Sequence, residues 1–143
     1  MKKNFKQKLL KDPKLLPILE AMEQHQCKLH VRYDPKARFF YGMFTVFSGG
    51  YKEIVLHYAK NSNYADMVFA LAHEATHLFQ HILGLYKSYH KHFIVAVAAE
   101  RDADRMAIGI VRSAYPNFKI SNIRVRYLAN LPTVYQSLRS DFN

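Results

Sequence analysis

The chain has 143 residues, a hydrophobic share of 50% and a formal net charge of +10. That length suits one compact domain with a hydrophobic core. The sequence contains no repeat and no low-complexity tract, and no apolar run approaches the ~18 residues that span a bilayer. We therefore expect a single domain over residues 1–143 that does not enter a membrane.

The compartment is indicated by two local features. Pro13 and Pro17 interrupt the basic start before it could form the apolar core of a signal peptide. The only cysteine, Cys27, excludes an internal disulfide and fits a reducing environment. We expect a soluble cytoplasmic protein in which Cys27 packs near the end of the first helix.

Lysines make up six of the first fourteen residues, at positions 2, 3, 6, 8, 11 and 14. Such a run is typical of a solubilising, frayed terminus, and we expect residues 1–12 to form a flexible basic arm. A basic arm can also attract nucleic acid, anionic lipid or acidic protein. No zinc knuckle, helix-turn-helix or RNA-binding aromatic signature accompanies it.

The first half of the chain predicts one helix and a small sheet. Apolar residues at helical spacing predict a helix over about 13–27. Aromatic and β-branched runs predict strands over about 29–33, 39–47 and 53–58. Gly49 and Gly50 lie between the second and third strands and indicate a hairpin. We therefore expect a sheet with at least one antiparallel pair.

The second half predicts helices. Asn61, Ser62 and Asn63 are candidate helix N-caps, and Asp66 has the capping-box position relative to Asn63. The helix should cover about 64–83, with Gly84 as the residue that ends it. The next helix should begin between positions 88 and 92 and end before Pro116. A shorter segment over about 124–139, broken by Pro132, should close the domain.

The buried stripe of that next helix contains two carboxylates. Its members are Phe93, Ala96, Val97, Glu100, Asp104, Ala107, Ile108 and Val111. Arg101, Asp102, Arg105 and Arg112 fall on the other side and should be solvated.

The most informative motif is His73-Glu74-Ala75-Thr76-His77, inside the apolar helix. Residues four apart lie one above the other on a helix, so His73 and His77 can direct ring nitrogens at one zinc ion. Glu74 projects beside them and can take a proton from a zinc-bound water. The alternative is a pair of hydrogen-bonded core histidines.

A catalytic zinc usually keeps three protein ligands and one open position, so a third ligand is required. His81 is excluded because it lies about 12 Å of helix rise from His73. His90 and His92 lie in or near a loop that could carry either to the metal. Glu100 comes level with the histidine pair if its helix runs antiparallel. We choose Glu100 as the third ligand.

Asp104 lies one turn after Glu100 on the same face. A ligating histidine usually donates its other ring N–H to a carboxylate, and Asp104 is placed to accept it from one of the two histidines. The alternative for both carboxylates is a surface pair with Arg101 and Arg105, although helical phase puts those arginines on the other side.

These residues resemble a known family. The pattern His73-Glu-x-x-His77 followed by Glu100-x-x-Ala103-Asp104-x-x-Ala107 is similar to that of the gluzincin metallopeptidases. Among them it most resembles the small members, the minigluzincins and the ImmA/IrrE-type proteases. The resemblance extends from residue 61 to about residue 112.

The resemblance implies an α+β, zincin-like fold, in which a small twisted and mostly antiparallel sheet packs on the HExxH helix and a Glu-bearing helix follows antiparallel. It implies one zinc ion bound by His73, His77 and Glu100, with Glu74 as the base. Asp104 would support a ligand histidine.

The implied reaction is hydrolysis of a peptide bond in a protein or peptide substrate. A further donor should stabilise the oxyanion, and the sequence does not choose among the candidates. They are Tyr86, Tyr89, His90, His92, Arg124, Arg126 and Tyr127. The family also binds its substrate along an edge strand, for which residues 39–47 are the candidate; a plain core strand is the alternative.

Two other functions fit the sequence. The domain could be a catalytically idle zinc module that recognises protein or nucleic acid through its basic surface. It could also be a protease that acts on proteins bound to nucleic acid. The intact Glu74 argues against loss of activity.

Overall fold

A computed structural model describes residues 3–87 and 92–117. It contains helix α1 (Phe5–Lys11), a 3-10 turn (Pro13–Leu15), helix α2 (Leu16–Gln24), strands β1 (Cys27–Tyr33), β2 (Tyr41–Val46) and β3 (Lys52–Tyr58), and helices α3 (Tyr64–Ile82) and α4 (Phe93–Ala114). The predicted α+β class is confirmed. None of the described helices is long and apolar enough to cross a membrane. The segment predicted over 124–139 lies outside the described residues.

The basic start differs from the flexible arm that we expected. Residues 5–11 form α1, and Phe5 and Leu9 are buried at 4% and 0% exposure. The Phe5 ring packs edge-on against Tyr58 of β3, with centroids 5.0 Å apart. The two apolar residues are four apart and share one helix face, so burial of that face holds the helix while its lysines stay in solvent.

The bounds predicted for the first helix, 13–27, are wrong at both ends. Asp12 caps a 3-10 turn by accepting the Lys14 N–H, and α2 begins only at Leu16. Its C-terminal end is followed by Gln26, whose φ of +56° stops the helix, and Cys27 then opens β1. Burial raises the pKa of the Cys27 thiol to about 11, which agrees with a packing role.

The sheet has the order β1-β3-β2. β2 and β3 are antiparallel across the predicted hairpin, in which Gly49 and Gly50 adopt φ values of +86° and +90°. β1 pairs with β3 in parallel, so the expectation of a mostly antiparallel sheet is wrong. The most buried strand, β3, takes the centre, where Ile54 and Leu56 have no exposed area. β2 is thereby left at an edge among the described strands.

α3 lies between the sheet and α4, which explains why it is apolar on most sides. Its capping box is confirmed: the Asn63 side chain accepts the Asp66 N–H, and the Asp66 carboxylate accepts the Asn63 N–H. Gly84 ends the helix as predicted, with a φ of +70° and its N–H donated to the His81 carbonyl.

α4 packs closely on α3 and runs against it. Gln80 contacts Ala99, whereas His73, two turns earlier in α3, contacts Asp104, which lies later in α4. The two helices are therefore antiparallel. The two helices can approach closely because the residues of α4 at this surface are small alanines, which have no exposed area. They are Ala96, Ala99, Ala103 and Ala107. The two carboxylates of the predicted stripe are thus brought against the HExxH segment.

Candidate metal centre

The two motif histidines lie on successive turns of α3, at the surface that faces α4. His73 is 1% exposed, and the side chain of His77 is 13% exposed. Their ring centroids lie 4.9 Å apart at an interplanar angle of 79°. The four-residue spacing therefore brings both imidazoles to one point, as predicted.

Glu100 of α4 joins this pair. Its Oε2 lies 2.9 Å from His73 Nε2 and its Oε1 lies 3.1 Å from His77 Nε2. One candidate ligand atom from each of the three residues lies within 4.8 Å of the others. Among the described residues no other group of three or more His, Cys, Asp or Glu side chains has this arrangement.

The three side chains could hold a metal ion, and zinc is one ion that accepts imidazole and carboxylate ligands. Tetrahedral bonds of about 2.1 Å require ligand atoms roughly 3.4 Å apart, and the three candidate ligand atoms lie within 4.8 Å of one another. Two imidazoles and one carboxylate also leave one of four positions open for water or substrate. We refer to His73, His77 and Glu100 below as the triad.

The other predicted third ligands lie elsewhere. His81 is exposed at the end of α3, with its ring near Phe44. His92 is exposed at the N-terminal end of α4. His90 lies outside the described residues. Only Glu100, of the candidates that the structure describes, comes together with the histidine pair.

Asp104 is placed beside His73 and not beside His77. Its Oδ1 lies 3.2 Å from His73 Nδ1, which leaves Nε2 of that ring directed at Glu100. Contact with a carboxylate at Nδ1 sets the orientation of the ring and raises its basicity. The surface pairing with Arg101 and Arg105 is not formed, because both arginines are exposed on the opposite side of α4.

The partner of His77 is Gln80, which sequence reasoning missed. The Gln80 amide donates to the carbonyl of Ala99 at 3.0 Å, so its Oε1 faces His77 Nδ1 at 2.8 Å and accepts the ring proton. When the His77 ring is neutral, its proton is therefore on Nδ1, and Nε2 carries the lone pair that can bind a metal. The signal was present in the sequence: an amide three residues after His77 in an otherwise apolar helix.

Electrostatics couple the triad tightly. Burial opposes the charged form of His73, but the carboxylates of Asp104 and Glu100 outweigh it and raise its pKa to about 10. Burial alone would raise the pKa of Glu100, but its hydrogen bonds with the two histidines hold that pKa well below the usual range. In the metal-free protein the cluster therefore keeps at least one proton at neutral pH.

We predict that zinc binding releases this proton. Because the raised pKa keeps His73 protonated up to about pH 10, metal and proton compete over the whole neutral range. The apparent zinc affinity should rise about tenfold per pH unit for each proton released, up to about pH 10. Competition with a chelator at several pH values measures the slope. An affinity independent of pH would contradict the proposed ligands.

Glu74 is buried against the edge strand. It is 5% exposed, and burial raises the pKa of its carboxyl group. Its Cγ and Oε1 lie close to the backbone of Gly42 in β2. A carboxylate with a raised pKa is a better proton acceptor near neutral pH than a solvated one.

The structure does not select an oxyanion donor. The Tyr86 hydroxyl donates to Asp102, on the side of α4 away from the triad. His92 is exposed, as noted above. The remaining candidates lie outside the described residues. They are Tyr89, His90, Arg124, Arg126 and Tyr127.

No protein-family model, curated protein or solved structure matches this chain. Function is therefore inferred from the triad and from Glu74.

Proposed function

We propose that the chain is a zinc-dependent endopeptidase of the gluzincin type with a zincin-like fold. The observation that carries the proposal is the meeting of His73, His77 and Glu100 within 4.8 Å, beside the buried Glu74. A set of two imidazoles and one carboxylate, buried except for part of His77, is suited to zinc, and the sequence places an acid–base residue next to it.

Each residue has a separate task in this proposal. The triad holds the ion, while Asp104 and Gln80 keep the two imidazoles in the orientation that presents Nε2. When bound, zinc lowers the pKa of a coordinated water and polarises a carbonyl group. Glu74 takes up the water proton and passes it to the leaving nitrogen.

The edge position of β2 supports binding of an extended peptide. The Phe47 N–H donates to the carbonyl of Tyr51, the residue directly opposite. Phe47 and Tyr51 are thus a hydrogen-bonded pair, and in an antiparallel ladder such pairs alternate with non-hydrogen-bonded pairs. In this phase Gly42, Phe44 and Val46 occupy the non-hydrogen-bonded pairs with β3. Their N–H and C=O groups consequently point away from β3, towards the edge where a substrate strand can pair.

Incubation of the zinc-loaded protein with an unfolded protein and with a mixed peptide library tests this function. We expect internal cleavage that a chelator abolishes and added zinc restores. Tight zinc binding without cleavage would instead favour the idle zinc module. In that case, salt-dependent retention of the protein on DNA would show whether its basic surface binds nucleic acid.

A further inference from the structure

One glycine of the edge strand is in close contact with the proposed base. A Cβ atom built on Gly42 would lie 2.8 Å from Glu74 Cγ and 3.0 Å from Glu74 Oε1. Real Cβ atoms essentially never approach a neighbour to 2.8 Å, so any side chain at position 42 must displace Glu74 or the strand. The buried Glu74 side chain has little room to move, because packed interiors have few voids.

The need for glycine at this position is steric and not conformational. Gly49, Gly50 and Gly84 have positive φ values, which explain them as turn or helix-end residues. Gly42 has no such φ and lies inside a regular strand, where glycine is unfavourable. Gly109 of α4 has nothing within 4 Å of the equivalent Cβ position. Close approach to Glu74 is therefore the feature that distinguishes Gly42.

We propose that Gly42 is a positioning residue, whose missing side chain lets the Glu74 carboxylate lie against the substrate-binding edge of β2. The proposal rests on the function assigned above to Glu74. The backbone groups of Gly42 point to the same edge, since Gly42 and Leu56 form a non-hydrogen-bonded pair. Base and substrate backbone are thus held side by side by one contact between α3 and β2.

The Gly42→Ala variant tests this role. We expect kcat to fall by roughly 10- to 100-fold, the usual effect of a misplaced catalytic group, with KM changed much less. Zinc content should stay at the wild-type level, because neither Gly42 nor Glu74 is a member of the triad. Gly109→Ala is the matched control: the same substitution without a neighbour should leave kcat, KM and zinc content unchanged.

A second measurement detects the contact without relying on activity. In the wild-type background Gly42→Ala should lower the melting temperature, because the added methyl group overlaps Glu74. In a Glu74→Ala background the overlap is gone, and the same change should raise the melting temperature by restricting the unfolded chain. This reversal of sign is a coupling between neighbours that independent sites would not show.

The outcomes separate this inference from the proposed function. If Gly42→Ala cleaves as fast as wild type while Glu74→Gln is inactive, the peptidase stands and the positioning role is wrong. A fall in kcat without the reversal in melting temperature also overturns it, because Gly42 would then not act through Glu74. A wild-type chain that binds zinc but cleaves nothing overturns both.

Discussion

Glu74→Gln is expected to abolish peptidase activity while leaving the protein folded and loaded with zinc. The amide keeps the size and shape of the carboxylate but does not accept the proton, and loss of a general base typically lowers kcat by roughly 10²- to 10⁴-fold. Zinc content should be unchanged, because Glu74 is not in the triad. The melting temperature should stay the same or rise, since burial already disfavours the charged carboxylate.

The control for this prediction is Glu20→Gln, an identical change at an exposed position of α2. It should alter neither activity nor zinc content. Full activity of Glu74→Gln on a substrate that wild type cleaves would end the proposed mechanism. Early loss of zinc from Glu74→Gln in a chelator titration would instead give Glu74 a structural role.

The second large effect is expected at the third ligand. Glu100→Ala removes one of the three ligand atoms, and both imidazoles lose the carboxylate that lies 2.9 Å from His73 Nε2 and 3.1 Å from His77 Nε2. Zinc affinity should fall by more than the roughly 10- to 100-fold typical of changes to residues behind the ligands. Metal analysis after dialysis against graded chelator concentrations measures the loss.

His81→Ala is the matched comparison, because His81 is also a histidine of α3 but is exposed and lies near Phe44. We expect it to retain zinc as wild type does. Equal zinc loss from both variants would contradict the ligand assignment. An anomalous X-ray map of zinc-soaked crystals would then identify the true ligands.

Local patterns predicted the two helices that carry the triad. The Asn63 capping box and Gly84 place the ends of α3, and the HExxH spacing brings the two histidines to one point. Glu100 and Asp104 were found from helical phase, because a carboxylate on an apolar stripe needs a buried partner. These features follow from the helical repeat, which depends only on nearby residues. The zinc ion and the peptidase activity stay predictions.

Predictions failed where a local preference was weaker than a distant contact. Residues 5–11 are a helix because Phe5 and Leu9 are buried against other segments, although a run of lysines suggested a frayed arm. Gln26 adopts a positive φ that no residue preference indicates, and the helix therefore ends early. The parallel pairing of β1 with β3 likewise depends on which strand is buried most deeply.

The sequence by itself determined the residues that can bind metal and the periodicity that gathers them on two helix faces. Only the tertiary structure decided which partner each side chain meets. In the fold, Asp104 lies beside His73 and Gly42 lies against Glu74. The carbonyl of Ala99 orients the Gln80 amide, whose oxygen accepts the His77 ring proton. The physical reason is that spacing along a helix is set by backbone geometry, whereas contacts between separate segments depend on how all of them fill one core.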